Sequence, residues 1–338
     1  MSLRIAHIGL GPIGCAVINQ VAARGGLQSV GAIDLDPAKI GKTLAEINGI
    51  DASNLTDVRV RPDMDAALRE LRPDVAVLCT GSSLSGVWAQ IETILRAGVP
   101  LVSTTEELAF PSGPNAHFAA KLDDLARECG VGIVGTGVNP GFVMDTLPIL
   151  LSGACERVDK IRVERVQDAS ARRLPFQQKI GAGLSVEEWQ TKADAGTVRH
   201  VGLRESISMI ASALGWELER ISDEISPQIA EKDVSSPHLR VAAGQVCGMR
   251  QDGIGYKDGA AVIELHMEAY LGAPQSYEMT RIEGSPNLEM RIDGGLPGDI
   301  ATAAVVVNTL PKIVGAPPGF HTMLSLPLPS FHRGGKDA

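Results

Sequence analysis

The stretch Leu3-Arg-Ile-Ala-His-Ile-Gly9-Leu-Gly11-Pro-Ile-Gly14-Cys-Ala-Val-Ile-Asn-Gln-Val-Ala22 decides the fold of this 338-residue chain. Arg4 to Ile8 is an apolar run of strand length, the next six residues supply G-x-G-x-x-G, and a helical pattern continues to Arg24-Gly25-Gly26. Strand, glycine triplet and helix in that order are the context that a dinucleotide fingerprint requires. In it Gly9 allows the tight turn, Gly11 the close approach of a pyrophosphate, and Gly14 the packing of helix on strand. Pro12 sits at the first helical position, where its missing N–H costs nothing, and Ile13 follows it. The remaining N–H groups of that turn face the phosphates. The reading is an α/β Rossmann domain, a doubly wound parallel sheet, with NAD or NADP as cofactor.

Working outward, Gln28 to Asp34 is a second strand that ends in an acid twenty residues beyond Gly14. A carboxylate there accepts the adenosine ribose hydroxyls and repels a 2′-phosphate. The alternative is a helix N-cap, for which Asp34-Leu-Asp36-Pro37 is equally suited. Lys39 and Lys42 lie close by and tolerate a phosphate, so both cofactors stay open. Val58 to Pro62 reads as a third strand, Asp65 to Leu71 as a helix, and Asp74 to Cys79 as a fourth, fully apolar strand of the kind buried on both faces of a parallel sheet. It runs into Thr80, Gly81 and Ser82, which line the cofactor because ligands gather at the carboxyl ends of such strands. Trp88 to Ala97 is the next helix. The fifth strand, Leu101-Val-Ser-Thr104-Thr-Glu106-Glu107, delivers two carboxylates to the same edge, where they are either catalytic acids or the solvated start of a helix. After a helix from about Pro114 to Cys129, a sixth strand leads into Thr136-Gly-Val-Asn139-Pro-Gly-Phe142.

From about residue 142 the pattern changes. After a helical connector, Phe142 to Leu151, the chain alternates at Lys160 to Val166, as a strand with one wet face does. Asp168 to Gly183 is a polar, glycine-bearing stretch rich in side chains able to bind a ligand, among them Arg172, Phe176 and Gln177. Ser185-Val-Glu-Glu188 is a capping box. His200 precedes a helix whose apolar residues Leu203, Ile207, Ile210 and Leu214 repeat at helical spacing; it is a substrate-site residue or a surface turn. Leu239 to Ala243, Ala260 to Ala269, Tyr277 to Gly284 and Leu288 to Gly294 are strands of one mostly antiparallel sheet. Glu264, His266 and Glu268 share one face of it and are read as a polar outer surface; no metal site is expected. Asp299 to Pro311 is an apolar helix, and the tail from Ala316 is irregular. The expected domains are 1–141 for the dinucleotide and 142–298 for substrate and dimerisation, with a helix at about 299–315 packing back on the first.

Composition sets the class. Hydrophobic residues make up 44% and charged residues 21%, as in soluble globular proteins. A net charge of −9 and a pI near 5.3 imply no basic face for nucleic acid. No apolar run is long enough to cross a membrane, and no signal peptide is expected. Cys15, Cys79, Cys129, Cys155 and Cys247 are scattered without pairing or metal-ligand spacing, which suits reduced thiols in a cytoplasm.

With these residues laid out, the chain resembles the native amine dehydrogenases and 2,4-diaminopentanoate dehydrogenases, whose first domain is dihydrodipicolinate-reductase-like. The resemblance covers nearly the full length. It rests on Gly9 to Gly14, on Ser103-Thr-Thr-Glu-Glu-Leu-Ala-Phe-Pro111, on Gly135 to Phe142, on Pro175-Phe-Gln-Gln-Lys-Ile-Gly-Ala-Gly183, on Arg199-His-Val-Gly-Leu-Arg-Glu-Ser206, and on Gly294 to Thr302. The Ser103 and Pro175 motifs are the particular ones. Thr105 stands where that pattern has a cysteine, and the paired-histidine and Ser-Gly-Thr motifs of true dihydrodipicolinate reductases are missing. The resemblance implies NAD(P)-dependent reductive amination of an aldehyde or ketone with ammonia, and the reverse oxidative deamination. It implies that Glu106 or Glu107 holds and deprotonates ammonia, and that Asn139, Phe142, Phe176, Gln177 and His200 shape the substrate pocket. A homodimer through the second domain's sheet is expected. Two other readings stand beside it: an ammonia-independent carbonyl or imine reductase, and a non-catalytic dinucleotide sensor.

Overall fold

The computed structural model describes residues 2–49, 55 and 57–333. The chain divides into two units: Met1–Phe142 with Pro297–Ala338, and Val143–Leu296.

The first unit opens with β1 (Leu3–Ile8), α1 (Pro12–Ala22), β2 (Leu27–Ile33), α2 (Leu44–Asn48), β3 (Val60–Arg61), α3 (Met64–Leu71) and β4 (Val75–Leu78). It continues through α4 (Leu84–Arg96), β5 (Leu101–Ser103), α5 (Glu106–Ala109), α6 (Ala116–Cys129) and β6 (Gly132–Gly135). All of these strands pair in parallel, and β4 is hydrogen-bonded beside β1 on the side away from β2. The chain order therefore reverses at β1, which makes the carboxyl end of β1 the switch point where such sheets bind ligands. β4 is buried at every residue, as a strand covered by helices on both faces must be. Caps fix where the helices start: the Ser83 hydroxyl accepts the Gly86 N–H, so α4 begins at Leu84, ahead of the Trp88 expected from apolar spacing. Thr43 and Glu46 form a capping box on α2, an element with too few apolar residues to be legible beforehand.

The second unit contains α7 (Thr146–Ser152), β7 (Arg157–Asp168), α8 (Leu174–Lys179), α9 (Val186–Asp194), α10 (Leu203–Leu214), β8 (Arg220–Ile229), β9 (Val234–Ser235) and β10 (Arg240–Val241). It ends with β11 (Val246–Lys257), β12 (Ala260–Tyr270), β13 (Tyr277–Ser285) and β14 (Leu288–Asp293). Its main sheet runs β14-β13-β7-β12-β11-β8. Every neighbour is antiparallel except β12 and β7, which are parallel. One sequence expectation is corrected here, and three elements that the sequence reading did not assign are added. The segment around Leu239 is not part of that sheet; Arg240–Val241 pairs with β9 in a separate two-stranded ladder. Residues 174–179 are helical, with Pro175 in the first turn. β8 and β11 carry two of the six strands but lack a clean alternation. In β11 the inward positions Gly253 and Gly255 are empty of side chain so that α10 can approach: a Cβ on either would come within 2.9 Å of Ile207.

One face of this sheet packs on α10; the other is laced with ion pairs. Lys160 bonds Glu264, Arg162 bonds Glu164 and Glu264, and Arg281 bonds Glu289. His266 lies between Asp252 and Glu268, at 2.6 and 3.1 Å. Hydrogen bonds to Asp252 and Glu268 lift its pKa to about 9, so Glu264, His266 and Glu268 are members of a charged surface network.

The chain returns to the first unit through α11 (Gly298–Val314) and β15 (Gly319–His321). α11 packs on α1, and β15, within the tail expected to be irregular, adds a parallel edge strand beside β6. The first-unit sheet is thus seven-stranded.

Candidate active site

The three fingerprint glycines are required for different reasons. Gly9 has φ +86°, and a Cβ there would stand 2.7 Å from the Cys79 carbonyl oxygen. A Cβ on Gly14 would stand 2.0 Å from the Gly9 oxygen, so α1 can seat on β1 only if position 14 is glycine. At Gly11 a Cβ would meet nothing within 4 Å. The protein itself has no use for the missing side chain at Gly11, whereas a pyrophosphate approaching the start of α1 does. Pro12 and Ile13 form the first turn with Gly11 as N-cap. The cradle fits a dinucleotide.

Asp34 follows the end of β2 and braces the loop. Its Oδ2 accepts the Leu10 N–H at 2.8 Å and the Lys39 ammonium at 3.0 Å, and its Oδ1 accepts the Asp36 N–H at 2.9 Å. Burial pushes the carboxyl pKa up, but the Asp36 and Leu10 N–H groups and Lys39 outweigh it and hold the group below its usual range. The Asp36 N–H bond to its Oδ1 is a turn cap, and the carboxylate sits just after β2, at the carboxyl edge of the parallel sheet. Leu35, 71% exposed, is an apolar surface beside it that sequence reasoning passed over. An exposed leucine immediately after the acidic strand end was the available signal.

The carboxyl ends of β4 and β5 complete this edge. Thr80 and Gly81 are exposed and Ser82 is half-buried; the Thr80 hydroxyl bonds Gln90. The Thr104 N–H bonds the Leu78 carbonyl. Thr105 is fully buried and donates its hydroxyl to the Gly81 carbonyl at 2.9 Å, joining the loops after β4 and β5. The adjacent acids then diverge. Glu107 Oε2 accepts the Leu84 N–H at 2.7 Å, and the Glu107 N–H bonds the Ser82 carbonyl; this side chain caps α4. Glu106, half-buried at the first position of α5, acts electrostatically on the Cys79 thiol, which burial foremost and Glu106 in addition push up to about 12. Glu106 follows β5 at the carboxyl edge of the sheet, the edge that carries the glycine loop after β1. Beyond β6, Asn139 is buried and precedes a cis proline, and Phe142 is half-buried at the end of this unit.

In the second unit, Gln177 is fully buried. Its Nε2 donates to the carbonyls of Ala169, Ser170 and Arg172, and its Oε1 accepts the Ser236 hydroxyl. Its amide is committed to folding the loop ahead of α8. Phe176 is half-buried with the Arg172 guanidinium 4.2 Å from its ring centre. His200 is held at both ends of its own peptide unit: its N–H bonds Gln251 Oε1 at 2.8 Å and its C=O accepts Gln251 Nε2 at 2.9 Å. On the inner sheet face Arg165 and Glu278 form a buried ion pair at 2.6 Å. That pair holds the carbonyl and N–H of Leu296. Neither Gln251 nor this pair was singled out from the sequence: Gln251 meets His200 51 residues away and Arg165 meets Glu278 113 residues away, separations that no local pattern reveals.

Residues 142–336 match the family of 2,4-diaminopentanoate dehydrogenase C-terminal domains. The chain is 34% identical to a 2,4-diaminopentanoate dehydrogenase of Acetoanaerobium sticklandii over 338 residues, 98% of this chain and 95% of that one. It is 25% identical to an amine dehydrogenase of Streptomyces virginiae, with 97% of each chain covered. The structure of an amine dehydrogenase from Mycobacterium smegmatis superposes with a TM-score of 0.87 at 25% identity, covering 99% of both chains. The chain belongs to the 2,4-diaminopentanoate dehydrogenase family, NAD(P)-dependent oxidoreductases related to the amine dehydrogenases.

Proposed function

We propose that this protein interconverts a primary amine with its carbonyl compound and ammonia, and that Glu106 carries the proton chemistry. The observation that supports this is the place of Glu106, which opens α5 directly after β5, in the parallel sheet whose carboxyl edge also carries the glycine loop; Glu107 caps α4 through the Leu84 N–H. When bound, the nicotinamide cofactor would supply or accept the hydride at the carbon that bears nitrogen. In the aminating direction, ammonium gives a proton to the Glu106 carboxylate and attacks the carbonyl carbon as neutral ammonia. The same group then returns a proton to the departing hydroxyl, which leaves as water, and its carboxylate stabilises the iminium that forms. In the deaminating direction each proton runs the other way. Asn139 and Phe142 in the first unit and, separately, Phe176 and His200 in the second are proposed as substrate contacts; Gln177 is assigned to the fold of its loop. The chain's 34% identity to a 2,4-diaminopentanoate dehydrogenase favours a diamino acid of that kind over a simple ketone-derived amine.

The test follows the absorbance of reduced nicotinamide with a carbonyl panel, with and without ammonium, and with 2,4-diaminopentanoate in reverse. Turnover that requires ammonium, and falls in Glu106→Gln by at least about a hundredfold, supports the assignment. Turnover indifferent to ammonium identifies a plain carbonyl reductase and removes the assignment.

A homodimer through the ion-paired face of the second unit's sheet belongs to this reading. The face is broad and its acids, Glu164, Glu264 and Glu268, are only 13–23% exposed. Light scattering that gives a monomer mass at micromolar concentration would exclude it. The five cysteines are free thiols, which suits the reducing cytoplasm.

A further inference from the structure

Lys39 occupies an unusual position for a residue beside a ribose-binding acid. Its ammonium lies 3.0 Å from Asp34 Oδ2 and 3.6 Å from Asp36 Oδ2, so one cation serves two carboxylates at the adenosine end of the cradle. Its backbone is fixed: the Lys39 N–H bonds the Asp36 carbonyl, and the Lys42 N–H bonds the Lys39 carbonyl. Only the side chain is able to swing, on a flexible four-carbon stem whose charge is a point with three donors. Two arginines near the strand end are tied differently. Arg61 grips Glu70 at two points, 2.6 and 3.0 Å, and Arg59 donates to the Gly41 carbonyl.

We infer that Lys39 is the residue that sets cofactor selectivity, moving between Asp34 and a 2′-phosphate so that the site accepts both NADH and NADPH. The inference rests on the dinucleotide reading of the glycine loop. Asp34 alone repels a 2′-phosphate. A cation that already pairs with Asp34 cancels much of that repulsion, because its charge is shared with the incoming phosphate. With NADH the lysine keeps its contact with Asp36, and Asp34 presents its carboxylate to the ribose hydroxyls.

The test is direct binding of NADH and NADPH to the full chain, read by nicotinamide fluorescence, for the wild type, Lys39→Met, Lys39→Arg and Asp34→Asn. Lys39→Met keeps most of the apolar stem, and a melting curve on each variant confirms that it is folded. In Lys39→Met the ratio Kd(NADPH)/Kd(NADH) should rise by roughly tenfold or more, while Asp34→Asn should lower it. Lys39→Arg, which keeps the charge, should lie between Lys39→Met and the wild type. Added salt should weaken NADPH binding in the wild type more steeply than in Lys39→Met. Equal weakening of both cofactors in Lys39→Met, with the ratio held, would overturn the inference and leave the dinucleotide site standing. A wild type that binds neither cofactor would overturn the dinucleotide reading itself.

Discussion

Gly11 and Gly14 should respond in opposite ways to the same substitution. In Gly14→Ala the new methyl would lie 2.0 Å from the Gly9 carbonyl oxygen, a backbone atom that no rotamer change moves aside. Either α1 lifts off β1 or the loop is rebuilt, and overpacking of this kind costs about 1–3 kcal/mol or more. In Gly11→Ala the methyl meets nothing within 4 Å. Gly11 sits at φ −72°, which alanine adopts without strain, so loss of unfolded-state freedom should stabilise the fold by up to about 0.4–1 kcal/mol. The same methyl stands where the pyrophosphate approaches, so dinucleotide affinity should fall. Urea unfolding and NADH titration on both variants separate the effects. Gly14→Ala should lose stability, and Gly11→Ala should hold its stability while losing affinity by about tenfold or more, the equivalent of roughly 1.4 kcal/mol. A Gly11→Ala protein that binds NADH as tightly as the wild type would refute the placement of the phosphates over Gly11. A Gly14→Ala protein as stable as the wild type would refute the packing argument.

Two stability predictions follow from buried polar groups. His7 is buried, its Nε2 shares a hydrogen bond with the Ser29 hydroxyl, and burial lowers its pKa to about 3. The folded state keeps it neutral while the unfolded chain protonates below about 6.5, so this contribution is complete above that pH and is lost as pH falls toward 3. His7→Gln should remove about 2 kcal/mol of the stability loss between pH 7 and pH 5, checked by urea midpoints at each pH; parallel profiles would show that His7 does not titrate on unfolding. For the buried pair, Glu278→Leu strands the Arg165 charge, which is 3% exposed, and should cost about 3–5 kcal/mol. The double variant Arg165→Met with Glu278→Leu should recover much of that, and a thermal melt that ranks the double variant below the single one would contradict the pairing argument.

The first unit was readable because each of its signals is local. A strand buried on both faces is a continuous apolar run, as Val75–Leu78 is, and the glycine loop announces itself by spacing within six residues. In the second unit β7, β12, β13 and β14 were legible by alternation, whereas β8 and β11 were not. β11 carries the Arg250–Asp252 ion pair on one face, and on the other it gives up side chains to α10 at Gly253 and Gly255 and holds the buried polar Gln251, so neither of its faces alternates in hydrophobicity. The same distinction separates the two acids. Glu106 and Glu107 are neighbours with identical chemistry, and the sequence around them carries nothing that ranks one over the other. What ranks them is the Leu84 N–H, a helix-start donor 23 residues upstream that reaches Glu107 only because β4 and β5 are adjacent strands. Chemistry at a strand end is therefore assigned by the donors that the neighbouring strand's helix brings to it. In this chain that donor takes Glu107 into the scaffold, and the proposal that Glu106 carries the proton chemistry starts from that difference.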